Sequence, residues 1–276
     1  MKWLHFIISH SIFIALCAAA LAFQTKELLH LPCNIYLLGF IFFATVCSYN
    51  FYWLLSKYSF GQLPPLYLFF KDEGAKGILL IIASAGLLFC YFHLHLLIIN
   101  IVVAGLLTLL YAVPLLPFKF LLFTRKVGML KTTLLAFTWA YVTAFLPMQK
   151  PISMLDGADL FLFSRRFLFM LMLCIIFDNR DKGIDKIRGL QSLATDLSPT
   201  ILKYLIYTVF IILFSTNFLF RYYGVSLAQS IALQVSTIAL LITYYYSTRR
   251  QGYFFYYFLV DGLMLFSAIT TWVVTI

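Results

Sequence analysis

Four of the ten acids in the sequence lie between Asp178 and Asp196, and three of these, Asp178, Asp181 and Asp185, follow one another at intervals of three and four residues. On a helix that spacing lines carboxylates up along one face. Arg180, Lys182, Lys186 and Arg188 are interleaved with them. Carboxylates so arranged suit a hard divalent cation such as Mg2+, which takes oxygen ligands and commonly bridges to a substrate's phosphates, while nearby bases balance the remaining phosphate charge. The same residues equally suit a surface loop whose acids and bases solvate one another. The position of the cluster, directly after an apolar run ending at Phe177, favours the first reading.

The chain that must position these groups lives in lipid. Of its 276 residues 63% are hydrophobic and 11% charged, against about 25% charged in an ordinary soluble domain, so a soluble enzyme is excluded. About 20 apolar residues cross one hydrocarbon core. Nine windows fit: Trp3–Phe23, Asn34–Leu55, Gly77–Phe92, Leu94–Val113, Thr132–Leu146, Phe161–Phe177, Ile201–Phe220, Ser226–Tyr246 and Tyr253–Ile276. The expected class is an all-α polytopic membrane protein. No stretch between windows is long enough for a separate globular unit, so residues 1–276 are read as a single integral-membrane domain. Lys2 and Ala20-Leu21-Ala22 outline a signal peptide, but the apolar run continues through Phe23, which favours an uncleaved first helix.

The net charge of +10 reports loop placement rather than nucleic-acid binding. Sorting the 20 bases by alternate loops gives 15 on the side of the N-terminus and five, Lys26, Lys150, Arg165, Arg166 and Arg221, on the other. The positive-inside bias then predicts a cytoplasmic N-terminus and an external C-terminus, in a bacterial cytoplasmic membrane. The five cysteines form no CxxC or Cys/His zinc spacing and read as small buried hydrophobes. Asp261 is the only acid deep in a window, which is a weak hint of ion-coupled transport. The aromatic runs Tyr244–Tyr246 and Tyr253–Phe258 read as an interfacial belt.

The run from Phe177 to Asp185, followed by Gly189-Leu190-Gln191-Ser192-Leu193-Ala194-Thr195, resembles the second aspartate motif of the UbiA superfamily of intramembrane prenyltransferases, an Arg-Asp-x-x-x-Asp core with a Gly-x-x-[Ser/Thr]-Leu-Ala tail. Tyr111-Ala112-Val113-Pro114, Pro117-Phe118-Lys119 and Arg125-Lys126-Val127-Gly128 are similar to the family's Tyr-x-x-Pro stretch with its trailing bases. The family's first motif, Asn-Asp-x-x-Asp-x-x-x-Asp, is not kept: after Asn50 its acid positions hold Phe51, Leu54 and Tyr58. The resemblance implies a nine-helix UbiA-like bundle, with Asp181 and Asp185 as catalytic metal ligands and Asp178 as a further one. It places Lys119, Arg125, Lys126, Arg180 and Asn50 on the diphosphate, and Mg2+ as cofactor. The implied activity is transfer of a polyprenyl group from a prenyl diphosphate to an aromatic or lipidic acceptor dissolved in the bilayer. Tyr49, Tyr52 and Trp53 would offer ring faces to the allylic cation. Loss of the first-motif acids opens the alternative of an inactive descendant that binds or transports lipid.

Overall fold

A computed structural model describes residues 2–58, 66–94, 98–112, 128–188, 191–249 and 251–276. Twelve α-helices form among them: α1 (Lys2–Ser9), α2 (Ile12–Leu28), α3 (Ile35–Tyr58), α4 (Leu66–Phe92), α5 (Ile98–Ala112), α6 (Gly128–Ala140), α7 (Leu146–Met148), α8 (Gly157–Arg188), α9 (Leu193–Asp196), α10 (Pro199–Leu219), α11 (Leu227–Ser247) and α12 (Asp261–Val273). In lipid the helix satisfies every backbone polar group internally, so long apolar runs fold this way and end where side chains can cap them. Ser198, followed by Pro199, accepts from the Ile201 amide at the start of α10. Ser226 and Gln229 form a reciprocal capping box at the start of α11. Two π-turns interrupt the regular pitch, at Tyr141–Phe145 between α6 and α7 and at Phe255–Val260 before α12.

The helices form an open ring. Going round it, α4 packs on α3, α3 on α2, α2 on α12, α12 on α11, α11 on α10, α10 on α8, α8 on α6 and α6 on α5. Among the described residues α4 and α5 have no substantial packing against each other. The interior is closed at one end, where α2 meets the first π-turn and Thr25 Oγ1 donates to the Thr143 carbonyl at 2.7 Å. Gln24 Nε2 adds bonds to Ser267 Oγ and Thr271 Oγ1 of α12 there, at 3.0 and 2.8 Å. The opposite end, where α8 finishes, carries the acids.

The all-helical membrane class is as expected, and three details are corrected. Seven of the described helices are long and apolar enough to cross a bilayer, and the α1–α2 pair, bent by 69°, makes an eighth as a broken span. The fourth expected window contains only α5, whose 15 residues reach about 22 Å at 1.5 Å each, short of a hydrocarbon core of about 30 Å. The sixth window, expected over Phe161–Phe177, is part of a 32-residue helix. Its charged ends hid its length from a hydropathy reading. Arg165 and Arg166, sorted above with the external loops, lie inside that helix and are 2% and 1% exposed.

Counting the bent pair and α5 as passes, the chain traverses the bundle nine times. His5 stacks on Tyr253 at the start of the last pass, whereas Thr275 bonds to Gln229 at the start of α11. The termini therefore lie at opposite ends of the bundle. Reporter fusions placed after Ile276 and within residues 191–198 are expected to read opposite faces of the membrane. Both on one face would exclude α5 as a complete crossing.

Candidate functional site

The backbone stays helical through Arg188, as the spacing of the acids predicts, yet the three carboxylates meet different neighbours. Asp178 faces α6 and α9: its Oδ2 accepts from Thr132 Oγ1 and from the Leu193 amide, the latter at 3.3 Å. Asp185 is 6% exposed and lies 3.9 Å from Lys131 Nζ on the first turn of α6. It is two turns beyond Asp178 on nearly the same helical meridian, which is why both look onto α6. Asp181 lies to one side of that line. Arg180 grips it with two parallel bonds, Nε to Oδ1 and Nη2 to Oδ2, both 2.7 Å. The guanidinium carbon is 4.9 Å from the centre of the Phe177 ring and 5.1 and 4.8 Å from those of Tyr256 and Tyr257 on the second π-turn.

The connection into α9 is built against α6 with little tolerance. Ser192 and Thr195 cap α9 reciprocally, and Asp196 Oδ2 accepts from the Met129 amide at 3.1 Å. Gly128 lies under this connection: a Cβ there would fall 2.3 Å from the Ser192 nitrogen and 2.5 Å from the Gln191 carbonyl carbon. The acid-bearing end of α8, the short α9 and the start of α6 thus form one locked unit.

Below this unit, inside the ring, Tyr49 meets Trp139 edge-on at 6.2 Å. Asp261, 8% exposed, is within electrostatic reach of Tyr49, Cys17, Cys174 and Arg180. The ring of Trp53 is covered by Lys76, whose Nζ is 3.0 Å from its centre. Asn50 Nδ2 donates to the Val46 and His10 carbonyls at 2.8 and 3.2 Å, tying α3 to the corner between α1 and α2. Its donors are spent inside the bundle.

Lys119, Arg125 and Lys126 fall outside the described residues, as do Val113–Pro114 and the Pro117-Phe118 pair. Among the described residues, no group of three or more His, Cys, Asp or Glu side chains is gathered closely enough to hold a metal ion. The Asp178, Asp181 and Asp185 set is therefore spread over two facings rather than converged, with one oxygen of Asp178 and both of Asp181 already accepting hydrogen bonds. Three acids outweigh Lys131 and Arg180 by one charge, so a diphosphate would need further cations at this end.

Sequence reasoning missed Gly128 as a close-contact position, Thr132 as the partner of Asp178 and Lys131 as that of Asp185. The sequence held one usable signal, since Gly128, Lys131 and Thr132 recur at helical spacing on one face.

A search of the solved structures pairs the chain with the apo structure of a UbiA homolog from Aeropyrum pernix K1, with a TM-score of 0.68 over 97% of each chain. The chain has the UbiA fold. Sequence identity to that homologue is 12%, so the likeness concerns backbone architecture, including the position of the acid-bearing helix in the ring. No protein-family model matches the sequence, and no curated protein does. The UbiA fold is thus carried here by a sequence that keeps the hydropathy pattern and little else recognisable to sequence comparison.

Proposed function

We propose that this protein is a UbiA-like prenyltransferase that moves a polyprenyl group from a prenyl diphosphate to an aromatic or lipidic acceptor within the bilayer. The observation that carries this reading is the UbiA fold with acids and bases gathered at the open end of its ring, directly above an aromatic-lined interior. A diphosphate headgroup belongs at the charged end and its hydrocarbon tail among the helices. Arg180 would exchange Asp181 for a phosphate oxygen while keeping its stacking on Tyr256 and Tyr257, and Lys131 would do the same from Asp185. Lys119, Arg125 and Lys126 would complete the clamp. Asp181 and Asp185, once released from those bases, are the carboxylates left for Mg2+. The described side chains do not form a metal cage as they stand, so no step is derived through the ion. The N-terminus is assigned to the cytoplasm because burial of Arg165 and Arg166 leaves only Lys26, Lys150 and Arg221 at the far end, which sharpens the positive-inside contrast.

A second reading rests on Phe51, Leu54 and Tyr58. With no carboxylates on α3, the preorganised charge that drives ionisation of a diphosphate is halved, and such electrostatics is usually the largest catalytic term. That absence fits a lipid-binding descendant. Radiolabel transfer from prenyl diphosphates of several chain lengths into membrane lipid extracts separates the two. The enzyme reading expects labelled product that falls at least tenfold with Asp181→Ala. No product at any chain length, with binding of a diphosphate analogue retained, would leave the lipid-binding reading.

A further inference from the structure

Arg165 and Arg166 are neighbours on α8, about 12–14 Å inside the start of the helix by its rise of 1.5 Å per residue. Both are fully buried, and every hydrogen bond they make is to a neutral group. Arg165 Nε donates to Asn217 Oδ1 on α10. Arg166 Nη2 donates to the Leu21 carbonyl at 3.2 Å and to Thr25 Oγ1 at 3.3 Å on α2. Two further nitrogens, Arg165 Nη2 and Arg166 Nε, are enclosed and donate to nothing. Asp159, the nearest acid along the chain on that side, is held by Lys150 at 2.6 Å. No ion pair joins either arginine to a carboxylate among the described residues.

A lysine or histidine in this position would shed its proton, but a guanidinium does not. Two adjacent like charges in the bundle interior each cost several kcal/mol unless compensated, and water bound to them would leave the charge in place. An anion is the group that offsets both.

We infer that the space between Arg165 Nη2 and Arg166 Nε is a binding site for a small monatomic anion of the halide class, chloride being the commonest. The donor geometry selects this class. One free N–H comes from each of two guanidiniums, whereas a carboxylate or phosphate is gripped best by two parallel donors of a single fork, and the fork edge of Arg165 is already taken by Asn217. A spherical ion accepts donors from any direction. Asn217 turns its own amide away, donating to Gln234 Oε1 at 3.1 Å and Thr237 Oγ1 at 2.9 Å, so no neutral side chain competes for the two free donors. The site lies about 18 Å along α8 from Asp178 and does not depend on the prenyltransferase reading.

The test is thermal unfolding of the purified full chain in detergent after exhaustive dialysis into sodium gluconate, followed by titration with sodium chloride or bromide at constant ionic strength. A ligand that binds only the folded state raises the unfolding temperature in proportion to the logarithm of its concentration above Kd. Chloride and bromide should both raise it saturably, and Arg165→Gln should weaken the apparent affinity at least tenfold. Should that variant not fold, Asn217→Asp serves instead: it supplies Arg165 with a carboxylate and is expected to weaken halide affinity while remaining folded. Arg221→Gln, at an exposed base, should titrate like the parent. An unfolding temperature indifferent to halide in the parent would overturn the site. So would stabilisation by inorganic phosphate or anionic lipid without any by halide.

Discussion

Replacing Asn217 by alanine is expected to cost about 3–5 kcal/mol, the range found when one partner of a buried charge is removed. Asn217 is fully buried and takes part in four bonds: its Oδ1 accepts from Arg165, its Nδ2 donates to Gln234 and Thr237, and its carbonyl accepts from Ser230 Oγ at 2.6 Å. Alanine keeps only the last. The guanidinium then loses its single partner in a place water cannot reach, and the Gln234 and Thr237 oxygens lose a donor. Asn217→Asp has the opposite electrostatic sign, since it restores the acceptor and adds a countercharge, and should recover more than half of the loss. Reversible unfolding in mixed micelles measures both. An alanine variant within about 1 kcal/mol of the parent would mean that Arg165 reaches another partner with ease.

The second large effect is expected at Gly128. An alanine methyl there would overlap the backbone of Gln191 and Ser192, and backbone cannot swing aside as a flexible side chain can. The cost should reach the upper end of the range of about 1–3 kcal/mol for overpacking, and it should be local. Displacing residues 191–193 removes the Leu193 amide from Asp178 and the Met129 amide from Asp196, so hydrogen exchange over α9 and the first turn of α6 should accelerate at least tenfold while α2, α11 and α12 stay protected. If the prenyltransferase reading holds, transfer falls with it. Uniform loosening of the whole bundle would instead mark Gly128 as a general packing residue.

How much of this was legible in the sequence depends on the range of the interaction concerned. Apolar runs and their breaks gave the membrane class and most of the ring, because hydropathy and capping act over a few residues. The helical continuation through Arg188 was readable for the same reason. Arg165 and Arg166 were misplaced because two adjacent charges look like a loop until a polar partner such as Asn217, 52 residues beyond Arg165, is known to lie beside them. The facings of Asp178, Asp181 and Asp185 were equally hidden. Spacing put them on one side of a helix, but α6 and Arg180 divide them. Asn50 was assigned to a diphosphate on the strength of its motif position, whereas its amide donors hold α3 against the turn before α2.

The seam between α4 and α5 bears on how a guest would reach the ring interior. A prenyl chain that slides in through this gap never leaves the hydrocarbon phase, so its arrival is a search in two dimensions, at a rate set by its mole fraction in the leaflet rather than by its solubility in water. The part of the tail left outside stays solvated by acyl chains at no hydrophobic cost. A pocket with four walls measures its ligand by depth; a ring with one side missing cannot, and a variant that bridges α4 to α5 would convert a length-tolerant protein into a length-selective one.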